Sequence, residues 1–162
     1  MTIIVREISA EQTRPLRQQI LRPHYTLEQL QYDGDEDTLA FHVGAFDEEK
    51  LIGVSSIFPG IPPIIYESLE IAQSKGDVNV YRIRGVAVLP EYQGQGIGQL
   101  MIKAGLDYVD RKAKTNGSSV IWCNARVKAK RFYERLGFEA KGLEFEIPKT
   151  GPHYYMERVK SL

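Results

Sequence analysis

Between residues 80 and 136 the apolar spacing alternates between the two-residue period of a strand and the 3.6-residue period of a helix, and this succession restricts the fold most. Residues 80–88 read as a strand that Pro90 ends. Ile97, Leu100, Met101, Ala104 and Tyr108 then recur at helical spacing as one apolar face, with Asn116-Gly117 placed to close the helix. Residues 120–123 form a short apolar strand. Ala129, Phe132, Tyr133 and Leu136 make a second helical stripe, followed by Gly137 at its C′ position. Strand, helix, strand and helix in that order require a parallel pair with a crossover, because parallel strands need a long connection.

The flanking segments add strands around this unit. Residues 3–7 read as a strand. Ser9 and Gln12 have capping-box spacing at the head of a helix carrying Leu16 and Ile20 and stopped by Pro23. The acidic run 33–37 reads as a solvated turn, with a cation site as the alternative, although its spacing matches no calcium loop. Residues 38–46 and 51–58 form a hairpin across the polar residues 47–50. A short helix over 64–75 would put Ile65, Leu69 and Ala72 on one face, and residues 138–147 and 153–159 read as two final strands. The expectation is an α/β fold with a mixed sheet.

A length of 162 residues suits one domain, residues 1–162. Lys plus Arg and Asp plus Glu each number 21, and this lack of a basic surplus argues against a nucleic-acid partner. No apolar run approaches the ~18 residues a spanning helix needs, so no membrane role is expected. The first residues show no secretion signal, and the cytoplasm is the expected compartment. With Cys123 as the only cysteine, neither an intramolecular disulfide nor a cysteine-cluster metal site can form, and no metal is expected.

The chemistry concentrates in residues 85–100, where a buried strand runs through a glycine-rich turn into a helix. Gly94, Gly96 and Gly98 permit positive φ and remove the Cβ atoms that would hold a ligand off the main chain. Amide N–H groups of residues 94–99 would then converge at the positive end of the helix dipole, an arrangement that binds phosphate without a basic side chain. The competing reading is a tight strand–helix turn and nothing more. The pattern matches neither a P-loop nor the dinucleotide fingerprint, because the third glycine comes one residue early.

The run Val86-Ala87-Val88-Leu89-Pro90-Glu91-Tyr92-Gln93-Gly94-Gln95-Gly96-Ile97-Gly98-Gln99-Leu100 resembles the acetyl-CoA signature of the GCN5-related N-acetyltransferase (GNAT) family, whose core is Q/R-x-x-G-x-G/A. Asn124-Ala125, Ala129 and Phe132-Tyr133-Glu134-Arg135-Leu136-Gly137-Phe138 are similar to the family's second recurring element. Gly151-Pro152-His153-Tyr154-Tyr155-Met156 resembles the tail of some small bacterial members. The resemblance is strongest over residues 80–140. It implies the GNAT fold, a single mixed and mostly antiparallel sheet with a central splayed parallel pair flanked by helices. It also implies an acyltransferase that moves the acetyl group of acetyl-CoA to a primary amine of a small molecule, by direct attack in a ternary complex. Acetyl-CoA is the cosubstrate.

Carried onto this chain, the resemblance pairs the main chain of Val86 and Val88 with pantetheine and gives the diphosphate to Gln93, Gly94, Gln95, Gly96 and Gly98. The N–H of Val88 or Leu89 would face the thioester oxyanion. Asn124 would contact the pantetheine arm, or it is an N-cap. Tyr133 would protonate the leaving thiolate, although its place on an apolar stripe also suits packing. His153 is a candidate base, since imidazole ordinarily titrates near ~6.5. Glu67, Glu70 or a water chain could serve instead. Arg82 and Arg84 would meet an acidic acceptor or pair with nearby carboxylates, and Cys123 reads as small apolar filler. His24 and His42 show no partner pattern. Two other functions compete: a non-catalytic acyl-CoA binding or sensing module, and a phosphate site for another nucleotide. Exchange of tail strands would make a homodimer feasible.

Overall fold

In the computed structural model, which describes residues 2–113 and 117–160, each β-rich run has become a strand. The strands are β1 (Ile3–Ile8), β2 (Phe41–Asp47), β3 (Lys50–Pro59), β4 (Val78–Val88), β5 (Ser118–Arg126), β6 (Glu139–Ile147) and β7 (Gly151–Lys160). The helices are α1 (Ala10–Leu16), α2 (Glu67–Ser74), α3 (Ile97–Ala113) and α4 (Lys130–Glu134). The strand order is β1-β2-β3-β4-β5-β7-β6, mostly antiparallel with β4 and β5 as the parallel pair. Asn116, expected to help close α3, lies outside the described residues.

The chain forms two compact units, one comprising the residues up to Pro59 with Ile83–Tyr108, the other Gly60–Arg82 with the residues from Val109 onward. In the first unit, the Asp47–Lys50 pair closes the β2–β3 hairpin, with Glu48 at φ +54. The i,i+4 pair Ile97 and Met101 on α3 packs with Val43, Ala45, Ile52, Val54, Ala87 and Leu89 in one core. The capping box is formed: Ser9 N–H donates to Gln12 Oε1 at 2.8 Å, and Gln12 N–H to Ser9 Oγ at 3.2 Å. Past Leu16 the helix widens into a π-turn over Arg17–Leu21 and ends before Pro23.

The acidic run 33–37 corrects the expectation of a purely solvated turn. Asp35 faces inward at 3% exposure and accepts two bonds from Arg17, Nη1 to Oδ2 at 2.7 Å and Nη2 to Oδ1 at 2.9 Å. Arg17, fully buried, also donates to Leu30 O and Ser56 Oγ. Ser56 Oγ lies 2.7 Å from His42 Nδ1, and His42 Nε2 donates to Asp35 O. A charge so far from water is tolerable only when it is neutralised and hydrogen-bonded, so this network ties the α1 turn, the acidic turn and the hairpin together. The Arg17 and Arg84 guanidiniums each lie 3.9 Å from the centroid of the Tyr32 ring.

In the second unit β4 and β5 pair in parallel from Val78–Ser118 to Arg82–Trp122. β5 also pairs along its other edge with β7, from Ser119–Lys160 to Arg126–His153. Leu69, Ala72, Val80, Val120, Trp122 and Tyr155 form the core. Leu69 and Ala72 are buried as the helical stripe requires, whereas Ile65 precedes α2 and is exposed. Trp122 Nε1 donates to Gly60 O at 2.9 Å, satisfying the indole in an otherwise apolar setting. No described helix is long and apolar enough to cross a membrane.

Candidate active site

The glycine turn sits wholly in the first unit. After β4 the chain makes a 3₁₀ turn over Pro90–Tyr92 and reaches α3 through Gly94 at φ +75 and Gly96 at φ +80. A Cβ at either glycine would meet nothing within 4 Å, so the main chain there borders open space. Gly98 differs from the expectation of a positive φ: it lies in the first turn of α3 with helical neighbours. Leu100 N–H, donating to Gly96 O at 3.1 Å, is the first amide the helix satisfies. Among the described residues, no acceptor takes the N–H groups of residues 94–99. Several amides thus stand unsatisfied at the positive end of a 17-residue helix. That donor set suits the diphosphate of a CoA thioester.

Both glutamine side chains of the turn act internally. Gln93 Nε2 donates to Val88 O at 2.9 Å, and Gln95 Nε2 to Glu91 O at 3.3 Å. These bonds shape the turn and leave its main chain to meet a ligand. Tyr92 donates to Asp47 Oδ2 at 2.6 Å, and that bond raises its pKa and pins the turn to the hairpin. Of the two amides expected to face an oxyanion, Leu89 is committed, because its N–H donates to Ile52 O at 2.9 Å. Val86 and Val88 are half-buried.

Tyr133, Asn124 and His153 belong to the second unit. Tyr133 on α4 is 7% exposed, edge-on to Phe132 and Phe138. Burial pushes its pKa well above the usual phenol value, and the Cys123 sulfur, which shares a hydrogen bond with the hydroxyl, adds to the shift. Asn124 lies within β5 opposite Tyr155. The N-cap alternative is corrected: Arg126 precedes a second 3₁₀ turn, Val127–Ala129, and Ala129 precedes α4, neither with a side-chain cap. His153 is 3% exposed, with Nδ1 2.7 Å from Gly151 O. A carbonyl only accepts, so Nδ1 carries the proton and Nε2 is the basic nitrogen. Glu67 and Glu70 are exposed in the first turn of α2.

One buried acid escaped the sequence reading. Glu157 is 2% exposed, accepts from Ser68 Oγ at 2.8 Å through Oε2, and has no described partner for Oε1. The Tyr155 hydroxyl is likewise unpartnered among the described residues, and burial followed by the charge of Glu157 raises its pKa. His153, Tyr155 and Glu157 alternate along one face of β7. That i, i+2, i+4 spacing of hydrogen-bonding side chains was the available signal.

Comparison with known proteins gives the family. The acetyltransferase (GNAT) family pattern matches residues 5–138. A Bacillus subtilis (strain 168) relative carrying the name "Uncharacterized N-acetyltransferase YitI" is 36% identical over 155 residues, covering 96% of this chain and 95% of its own. Among solved structures, the ribosomal-protein-S18-alanine N-acetyltransferase from Escherichia coli superposes with a TM-score of 0.71 at 12% identity, covering 99% of this chain and 96% of that one. Arabidopsis thaliana NAA60 in complex with acetyl-CoA gives 0.67 at 18% identity over 99% of both chains. The chain belongs to the GNAT acetyltransferase family and is an acetyl-CoA-dependent acyltransferase.

Proposed function

We propose that this enzyme transfers the acetyl group of acetyl-CoA directly to the primary amine of a small molecule, with both substrates bound together. The observation that carries this reading is the row of unsatisfied amides at 94–99, beside open space at Gly94 and Gly96. In this reading those amides hold the diphosphate, and the main chain of Val86 and Val88 lies along the pantetheine arm. Asn124 contacts that arm. The Val88 N–H donates to the carbonyl oxygen as negative charge develops on it. Leu89 takes no part, being already bonded to Ile52.

The acceptor must lose a proton from its ammonium before attack, and His153 Nε2 is the base we assign to that step. The amine nitrogen then forms its bond to the acyl carbon, the carbon–sulfur bond breaks, Tyr133 gives its proton to the departing thiolate, and the second proton, lost from the newly acylated nitrogen, restores the phenol. A phenol held protonated by burial is suited to this, because the same dry surroundings raise the proton affinity of a thiolate formed next to it.

Thiol release from acetyl-CoA over a panel of amines tests the assignment. Tyr133→Phe removes one oxygen and keeps the ring contacts, so kcat should fall about 100-fold, with acetyl-CoA affinity unchanged. Because the Tyr133 proton is held well above the usual phenol range, wild-type kcat should not decline at mildly alkaline pH through loss of that proton. A Tyr133→Phe enzyme with wild-type kcat would contradict the acid role.

A further inference from the structure

A cavity of about 260 Å³ in the first unit lies apart from the glycine turn, lined by Arg22, Tyr25, Tyr32, Asp33 and Arg84 among others. Its two cations and single carboxylate leave one positive charge in the lining. Arg84 is half-buried on β4, its guanidinium carbon 3.9 Å over the Tyr32 ring, and no described carboxylate is within ion-pair reach of it. Asp35 also acts on Arg84, but both its oxygens already accept from Arg17. Burial, with the neighbouring charges of Arg17 and Arg22, lowers the Arg84 pKa despite the opposing pull of Tyr32 and Asp35. An anion in the cavity would relieve both costs. The loop that carries the other walls is itself braced: Thr26 N–H donates to Gln29 Oε1 and Gln29 N–H to Thr26 Oγ1. Gln18 Nε2 donates to Tyr25 O at 2.7 Å.

We propose that this cavity receives a carboxylate of the acyl acceptor, so that the amine acetylated by this enzyme is of the amino-acid class. This rests on the reading of the chain as a small-molecule amine acetyltransferase. A carboxylate fits better than a phosphate on two grounds. A guanidinium matches it through two parallel N–H···O bonds, and a single positive balance complements a monoanion. Arg84 lies four residues before Val88 on the same strand, at most about 13 Å away, because left-handed Gly85 between them shortens the extended chain. An arginine side chain and a small acceptor together can cover that span.

The test is the specificity constant for the twenty L-amino acids against their C-terminal amides, with O-phosphoethanolamine as an anionic amine lacking a carboxylate. Free acids should exceed their amides by about 10- to 100-fold, the range for losing a hydrogen bond to a charged group. Arg84→Gln should reduce kcat/KM for the acids by a similarly larger factor than for the amides, and should leave the KM for acetyl-CoA as it is. Arg84→Lys, which keeps the charge and loses the fork, should retain part of the preference, and it guards against a fold defect in the first variant. Equal rates on acids and amides, or an Arg84→Gln loss equal for both, would overturn the carboxylate assignment and leave acetyl transfer standing. Faster turnover of O-phosphoethanolamine than of any amino acid would overturn it in favour of phosphate. Acetyl-CoA binding without turnover of any amine would overturn the transferase reading itself, and this inference with it.

Discussion

The thiol of Cys123 is pushed up to about 12 by burial, against the opposing influence of Arg82 and of the hydrogen bond with Tyr133. A thiol so held has almost no thiolate at neutral pH, and the thiolate is the reactive form. Native protein at pH 7.5 should therefore resist iodoacetamide for hours, whereas protein unfolded in urea should take up one label per chain. Rapid labelling of the native protein would show that the Tyr133–Cys123 contact opens. At this scale the sequence is only partly readable. Tyr133 and the glycine turn stand out as residue types at a spacing. That Leu89 N–H is committed to Ile52, or that Gln93 folds back onto Val88, depends on partners far away or on rotamers no spacing encodes. Glu157 was missed because a glutamate near the chain end ordinarily reads as solvated. Its one mark in the sequence is the alternation with His153 and Tyr155, and its burial beside Ser68 is visible only in the fold.

At the scale of elements, β4 contains a left-handed residue that periodicity does not announce. Gly85 has φ +69, and a Cβ there would sit 3.0 Å from both Arg17 Nε and Tyr32 Cε2. Left-handed backbone costs a non-glycine residue about 1–2 kcal/mol before any clash. Gly85→Ala should thus lower the urea-unfolding free energy by about 2 kcal/mol or more, because Arg17 is locked to Asp35 and cannot move aside. A loss below about 0.5 kcal/mol would mean that the Arg17–Tyr32 stack yields more easily than its bonding implies. Strands and helices were legible where burial dictates residue type: β2 and β3 are buried on both faces and read as short continuous β-rich runs, and α3 shows its apolar stripe. The acidic turn was not, since Asp35 is one of several carboxylates and its inward orientation is set by Arg17, eighteen residues earlier.

At the scale of the molecule, the order of strands and helices follows from the sequence, because a strand, crossover helix and parallel strand admit few arrangements. The acceptor cavity does not. Apart from Arg84, its walls come from residues 22–33, an irregular segment without apolar period, and two tyrosines and two arginines become a chemical environment only when the loop is folded. The balanced charge of the chain, 21 of each sign, likewise conceals a local positive excess in that cavity.

If the main-chain amides of the glycine turn hold the diphosphate of acetyl-CoA, its binding must change their surroundings. Amide proton–nitrogen spectra recorded during titration with acetyl-CoA, and separately with ADP, test it directly. The signals of residues 94–99 should shift in both titrations and saturate with the binding isotherm. Saturation by acetyl-CoA with those six signals unmoved would contradict it.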